Sequence, residues 1–353
     1  MVDVRVLSVA HDLADARLHR LCHAFVDSGA VVEVRALGDP SSAPPGTTCR
    51  PWDSTAVWRR GVRALTSPFA RRCDILVVID PDLIPGALLA RTFRRAPVVV
   101  CDVHENYELV VADRIWGSGV VRRVAVATAR LGRRAAQAAD CTIVADEHLP
   151  PHVARRRRVV RNVPLRAFGE PDSRQRLSAL YVGDVRGSRG AFTMVEGVLR
   201  TTSWELDIVG PVNSEADRRR LHEMIGNDDR IRLWGRLDPI RSWKVASGAS
   251  VGLSLLADTA AFREAMPSKI YQYLAQGMAV VTSPLERPAR LVRDHGVGVV
   301  AETAEEVAER LNYWSENPSE LRACQRAALV WSERHLPDAD EFQAVCDEIL
   351  AST

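Results

Sequence analysis

Short runs of consecutive apolar residues, many of them β-branched, recur from one end of the chain to the other. Val4–Ala10, Val31–Leu37, Ile75–Ile79, Val98–Asp102, Cys141–Ala145 and Val159–Val163 form the first series. A strand with one wet face alternates apolar and polar residues. A run that is apolar throughout belongs to a strand covered on both faces, which is the situation of a parallel sheet. Parallel neighbours require crossover connections. The intervening stretches supply them: Leu13–Ser28 places Leu18, Leu21, Cys22 and Phe25 on one helical face. The loop Gly38–Pro51 is rich in Pro, Ser and Gly. The first half therefore reads as a doubly wound α/β domain.

The pattern restarts after Pro164–Ser173, a stretch with two prolines, a glycine and mixed charge. Leu180–Gly183, Leu206–Gly210, Ile231–Trp234, Val251–Leu256, Val280–Thr282 and Val297–Val300 read as strands, with helical stretches such as Ser268–Gln276 and Ala304–Ser315 between them. A chain of 353 residues also exceeds the roughly 250–300 at which one core stops growing. The expected division is a first α/β domain over 1–164, a second over 165–336, and a terminal segment 337–353. In that segment Phe342, Val345, Cys346, Ile349 and Leu350 fall at i, i+3, i+4, i+7 and i+8, an amphipathic helix that needs a surface to pack on.

Charge and cysteine narrow the classes of function. The seven cysteines are odd in number and never spaced Cys-x-x-Cys, which argues against a disulfide framework and a structural zinc site. The longest apolar runs are far short of the roughly 20 residues of a membrane span, and the charged first 20 residues (Asp3, Arg5, Asp12, Asp15, Arg17) do not read as a signal peptide. A cytoplasmic location is expected. Residues 1–165 hold 24 Arg/Lys against 17 Asp/Glu, about +7, and residues 166–353 hold 23 against 28, about −5. The basic half suits an anionic acceptor or peripheral contact with the inner membrane face; a solvated arginine-rich surface is the plainer reading. The helical stretches Trp58–Arg72 and Val120–Arg134 are open to the same two readings, and Arg155–Arg158 reads as a solvated turn, with no nucleic acid implied.

Four local motifs carry chemistry. In Glu264–Ser283, Pro267 suits the first turn of a helix. Ser268 and Lys269 then lie where free amides and the helix dipole favour an anion. Tyr181–Gly190 is a strand running into a glycine-rich turn with Arg186 and Arg189, fitted to a diphosphate, and it lacks the Gly-x-Gly-x-x-Gly of dinucleotide binding. Asp102-Val-His-Glu follows a buried strand, at the end where open α/β sheets bind ligands, and His104 there could move a proton. Asp80-Pro-Asp82 has the spacing of a metal-binding carboxylate pair, although Asp82 could equally cap the following helix.

Taken in order, Asp-x-His-Glu at 102–105, the Val-Gly…Arg-Gly turn at 182–190, Leu-Asp-Ile-Val-Gly at 206–210, Leu-Trp-Gly-Arg-Leu at 233–237 and Pro-Ser-Lys…Gly-Met-Ala-Val-Val at 267–281 make a recognisable set. The chain resembles the family-4 retaining glycosyltransferases of the GT-B fold over nearly its whole length. That resemblance implies two Rossmann-like domains facing each other across a cleft, the first binding the acceptor and the second a UDP- or GDP-sugar, with no other cofactor and no metal. It implies that Arg189, with Gly183 opening its loop and Arg186 nearby, contacts the donor diphosphate together with Lys269. It places Glu264 on sugar hydroxyls and Gln272 on the ribose, at the two ends of the family's Glu-x7-Glu motif. Met266, Pro267 and Ser268 would offer amides to phosphate and sugar, Arg236 would lie near the base, and His104 would face the donor sugar. His11, Asp12, Asp82 and Glu105 lie in the first-domain regions that would meet the acceptor: a sugar, a lipid-linked glycan or a small natural product. The terminal helix would cross back to the first domain.

Two residues depart from the family pattern: Gln272 stands where a glutamate is usual, and Asp184 where a basic residue follows the first glycine. Three rival readings follow. A GT-B nucleotide-sugar 2-epimerase would convert the donor without an acceptor, and a non-catalytic scaffold would bind nucleotide weakly. An NAD-dependent oxidoreductase is disfavoured by the missing glycine fingerprint.

Overall fold

The computed structural model describes residues 1–53, 57–113, 119–164, 176–237, 239–246 and 248–353. Most of the expected linker 164–173 lies outside these residues. The chain divides into one unit formed by Met1–Asn162 with Ala339–Thr353, and another formed by Val163–Asp338.

In the first unit the elements run β1 (Asp3–Asp12), α1 (Ala16–Asp27), β2 (Val31–Leu37), β3 (Thr48–Cys49), α2 (Val57–Thr66) and β4 (Ile75–Val78). They continue as α3 (Ile84–Thr92), β5 (Val98–Val103), α4 (Tyr107–Asp113), α5 (Gly119–Ala136), β6 (Cys141–Val144) and β7 (Arg157–Val159). The seven strands lie in the order β3-β2-β1-β4-β5-β6-β7, every pair parallel. The order reverses between β1 and β4, so a crevice opens beyond their carboxyl ends.

The second unit runs β8 (Arg176–Val182), α6 (Ala191–Leu199), β9 (Glu205–Val209), α7 (Glu215–Ile225), β10 (Ile231–Gly235), α8 (Pro239–Ala246) and β11 (Ala249–Ser254). Then come α9 (Ser268–Ala275), β12 (Ala279–Thr282), α10 (Glu286–His295), β13 (Gly298–Val300), α11 (Ala304–Glu316) and α12 (Pro318–His335). Its parallel sheet is ordered β10-β9-β8-β11-β12-β13, with the reversal between β8 and β11.

Each sheet is covered on both faces, as the unbroken apolar runs require. In the first unit one face is packed by α1 and by the terminal helix α13 (Glu341–Ala351), through Leu18, Leu21, Phe25, Phe342, Cys346 and Ile349. The other is packed by α2, α3 and α5, through Ala64, Ile84, Ala87 and Ala136. Ion pairs bind α13 in place: Arg20 holds Asp340 through two bonds of 2.6 and 2.8 Å, and Arg158 holds Glu348. Five of the seven cysteines are buried among these layers as free thiols.

Four sequence expectations need correction. The loop 38–51 contains the short strand β3, which pairs with Glu33 and Val34. The strand expected over Val159–Val163 ends at Val159, because the carbonyl of Val160 accepts from Arg17 Nη1 at 2.8 Å instead of continuing a ladder. Arg155–Arg158 is not a solvated turn: Arg157 opens β7 and donates to the carbonyls of Glu147, Leu149 and Pro151. Pro267 sits one position earlier than expected, as the extended N-cap residue of α9 with ψ 118°.

Candidate functional site

In the second unit the chain leaves β8 through Gly183, whose φ of 141° belongs to glycine. The sharp exit is fixed by the neighbouring strand end: a Cβ on Gly210 would lie 1.8 Å from the Gly183 carbonyl oxygen. The turn then runs through Asp184 and Arg186 into a single 3-10 turn, Gly187–Arg189, and Gly190 at φ 81° starts α6. Asp184 accepts from Asn213 Nδ2 at 2.9 Å and lies 3.3 Å from Arg186 Nε and 4.0 Å from Arg189 Nε. The position that departs from the family pattern is thus the counter-ion of both loop arginines.

Lys269 reaches the same place from the first turn of α9. It is 7% exposed, and its Nζ stands 3.8 Å from the centroid of the Tyr181 ring with no hydrogen-bond partner. A Cβ on Gly183 would approach that Nζ to 3.1 Å, so the bare glycine backbone faces the amine. Burial first, then the positive charges of Arg189 and Arg186, holds the Lys269 pKa well below the usual lysine value. Two guanidinium groups, one buried lysine amine and one carboxylate converge at the sheet's reversal point. The first-turn amides of Ser268 and Lys269, which have no intrahelical carbonyl to meet, point to the same end of the helix.

The remaining residues of this unit are placed as follows. Glu264 is exposed, and its backbone carbonyl accepts from Arg287 at 2.9 Å. Met266, Pro267 and Ser268 are half-buried, as is Gln272, one turn along α9 from Ser268. Arg236 is exposed and follows Gly235, whose carbonyl ties β10 to Gly210 N at 2.8 Å. Tyr273 was not anticipated. It lies over Gly252, where a Cβ would come within 2.2 Å of the ring, and its hydroxyl accepts from Val182 N at 3.2 Å, fixing α9 against β8. A cavity of about 670 Å³ opens between α8 and strands β8–β10, lined by Asp207, Arg232 and Trp234 among others. It includes none of the expected site residues, and on its wall Arg232 and Trp234 both donate to Asp207 at 2.7 Å.

In the first unit the candidates gather at the β1/β4 reversal. Asp80, fully buried, accepts from Ser8 Oγ at 2.7 Å and from the amides of Val9 and Ala10 at 2.6 and 3.1 Å. His11 Nδ1 lies 3.0 Å from its other oxygen, and His11 Nε2 lies 2.8 Å from His104 Nε2. Tyr107 completes the row, its hydroxyl 3.4 Å from His104 Nδ1 and donating to the Ile79 carbonyl at 3.1 Å. Burial opposes a charge on His11, but Asp80 outweighs it and raises the imidazole to about 9. His104 moves the other way, lowered by burial and by the charge of His11. These directions favour charge on His11, which faces Asp80, and a neutral imidazole at His104.

The carboxylates Asp80 and Asp82 are held apart. Asp82 takes a bidentate grip from Arg60 at 2.7 and 3.0 Å, whereas Asp80 is engaged by Ser8, two amides and His11. Asp82 does not cap α3, which begins with Leu83 at the N-cap and no side-chain cap bond. Asp12 closes the next turn by accepting from Ala14 N at 2.9 Å, and Glu105 is half-buried beside His104. Asp102 is buried against Arg17 through bonds of 2.8 and 2.6 Å. That pair braces β5 against α1 and leaves His104 and Glu105 as the open residues of the motif.

Residues 176–317 match the model of the family "Glycosyl transferases group 1". No curated protein sequence is significantly similar to the chain. Among solved structures, the Anabaena protein Alr3699/HepE, described in complex with UDP and glucose, superposes with a TM-score of 0.71 at 13% identity, covering 100% of both chains. The sucrose-phosphate synthase of Thermosynechococcus elongatus gives 0.72 at 15% identity, again over 100% of both chains. WaaG, a glycosyltransferase involved in lipopolysaccharide biosynthesis, gives 0.69 at 14% identity over the same full coverage. The match 176–317 contains both the arginine loop and the start of α9. Residues 176–317 thus match the glycosyl transferases group 1 model, and the chain as a whole has the GT-B fold.

Proposed function

We propose that the chain transfers a sugar from a nucleoside-diphosphate donor, UDP- or GDP-linked, to an acceptor with retention of anomeric configuration and without a metal ion or other cofactor. The observation that carries this reading is the orphaned amine of Lys269 beside Arg186 and Arg189. A buried polar group without a hydrogen bond is costly, and a diphosphate brought to this loop would bond the Lys269 amine and meet both arginines at once. The neighbour from Anabaena, described with UDP and with UDP-glucose, favours uridine as the first donor to try.

In the reaction, the bond between the anomeric carbon and the diphosphate oxygen breaks as the acceptor oxygen bonds to the same face of that carbon. The acceptor proton passes to the departing phosphate. Arg189, Arg186 and Lys269, with the amides of residues 266–268, stabilise the negative charge that develops there, electrostatic catalysis of the oxyanion-hole type. Glu264 holds sugar hydroxyls, Gln272 the ribose, and the backbone at Arg236 the base. His104 serves the donor sugar, and His11, Asp12, Asp82 and Glu105 serve the acceptor: a sugar, a lipid-linked glycan or a small natural product.

Titration calorimetry with UDP and with GDP, each with and without magnesium, tests the donor half. Micromolar binding of one nucleotide, unchanged by magnesium, is expected, and binding of neither overturns the assignment. Arg189→Ala should lower turnover by about 10²–10³-fold, the usual cost of one transition-state donor, with the fold intact. Near-normal turnover in that variant would remove Arg189 from the mechanism.

A further inference from the structure

Helices α2, α3 and α5 cover one face of the first sheet, and their sequences are lopsided in charge. Across 10, 9 and 18 residues they carry nine arginines and not one aspartate or glutamate. The helices on the opposite face, α1 and α13, carry two arginines against four acidic residues. Some arginines of the basic layer are neutralised from outside it: Arg60 by Asp82, Arg91 by Asp140, and Arg133 by Glu108. Arg72, Arg94, Arg95 and Arg134 are exposed and have no acidic partner among the described residues. Three of these four are gathered where α2 and α3 end, because the Arg95 carbonyl accepts from Cys73 N at 3.1 Å.

The same layer exposes apolar side chains. Val62 and Leu65 on α2 are 51% and 67% exposed, Leu89 and Phe93 at the end of α3 are 53% and 67%, and Val124 and Leu131 on α5 are 61% and 57%. Elsewhere in this unit only Met1 and Val153 among the described large hydrophobics are as open. The rings of Phe69 and Phe93 lie 6.1 Å apart, so the aromatic part of the patch is continuous from the end of α2 to the end of α3.

We propose that the outer face of α2, α3 and α5 docks on an anionic lipid surface, with Leu65, Leu89 and Phe93 entering the interface and Arg72, Arg94 and Arg95 meeting the headgroups. The pairing of projecting aliphatic and aromatic side chains with unneutralised arginines is the composition of an interfacial membrane contact. A second copy of the chain is a poor occupant, since a two-fold contact would set these arginines against their equivalents. Polyanionic nucleic acid would satisfy the arginines and leave the aliphatic residues without a role. No helix among the described residues is long and apolar enough to cross a membrane, so the contact is one of surface attachment. This inference is independent of the proposed reaction.

Flotation of the full chain with vesicles tests it. The chain should float with equimolar phosphatidylglycerol and phosphatidylcholine and stay behind with phosphatidylcholine alone. Raising the salt should release it, as screening shortens the reach of the arginines. The triple variant Arg72→Glu/Arg94→Glu/Arg95→Glu should lose binding by at least about tenfold. The charge-matched triple Arg219→Glu/Arg322→Glu/Arg326→Glu, on exposed helix positions of the other unit, should not. Leu65→Ser/Phe93→Ser should weaken attachment while its melting temperature stays that of the parent. Equal loss in the two triples would reduce the effect to net charge and overturn the proposal. So would failure to float, equal flotation with both vesicles, or retention only by RNA.

Discussion

An amine without a hydrogen bond is expensive to keep in a protein interior, and the Nζ of Lys269 is kept that way beside two arginines. Stability and binding should therefore oppose each other at this residue. Lys269→Met should raise the stability of the ligand-free chain by about 1–2 kcal/mol and lower UDP affinity by more than tenfold; a melt and a titration on one preparation check both. His11 makes a different statement about pH. Its folded pKa lies at about 9 against 6.5 for the free group, so its contribution is fully present below about pH 6.5 and is lost as pH rises through 9. Burial opposes its charge, and Asp80, Asp15 and Glu105 favour it. Urea unfolding should show stability falling over that window, and His11→Asn should flatten the slope. A slope unchanged in His11→Asn would assign it to another group.

At the scale of the element, α13 is the clearest case of a segment whose character is local but whose placement is not. Its i, i+3, i+4, i+7 pattern announced an apolar face and the family resemblance implied a return to the first domain, but neither named α1 as the surface it packs on. Phe342 is fully buried, with the guanidinium carbons of Arg17 and Arg20 at 4.8 and 5.3 Å from its ring centroid. Phe342→Ala should cost about 3–5 kcal/mol. Hydrogen exchange would locate the loss: peptides of β1 and α1 should lose protection, and those of β11 and β12 should not. The parallel strands were legible for a simple reason, since Ile75–Val78 and Val280–Thr282 can be apolar throughout only where both faces are covered. The two-residue β3 was not, because pairing that short leaves no periodicity to read. Polar placements were least legible. Asp80 and Asp82 share a spacing, yet one is consumed by Ser8, two amides and His11 and the other by Arg60, partners about 20 to 72 residues away in sequence. Asp184, which looked like a lost cation, is the counter-ion that Arg186 and Arg189 hold.

For the molecule as a whole, the two units differ in how their residues are drawn from the chain. Val163–Asp338 is one continuous stretch, whereas the other unit is assembled from Met1–Asn162 and Ala339–Thr353. Phe342, Cys346 and Ile349 belong to the same core cluster as Val4, Val6 and Phe25, so that core lacks part of one face until the last segment arrives. On the ribosome, where synthesis proceeds from the amino end, the unit begun second has all its parts first. The unit begun first must wait, with part of that face uncovered, through the synthesis of about half the chain. Its completion depends on contacts spanning more than 300 residues, such as Arg20 with Asp340, the kind of long loop closure that slows a chain's last folding step.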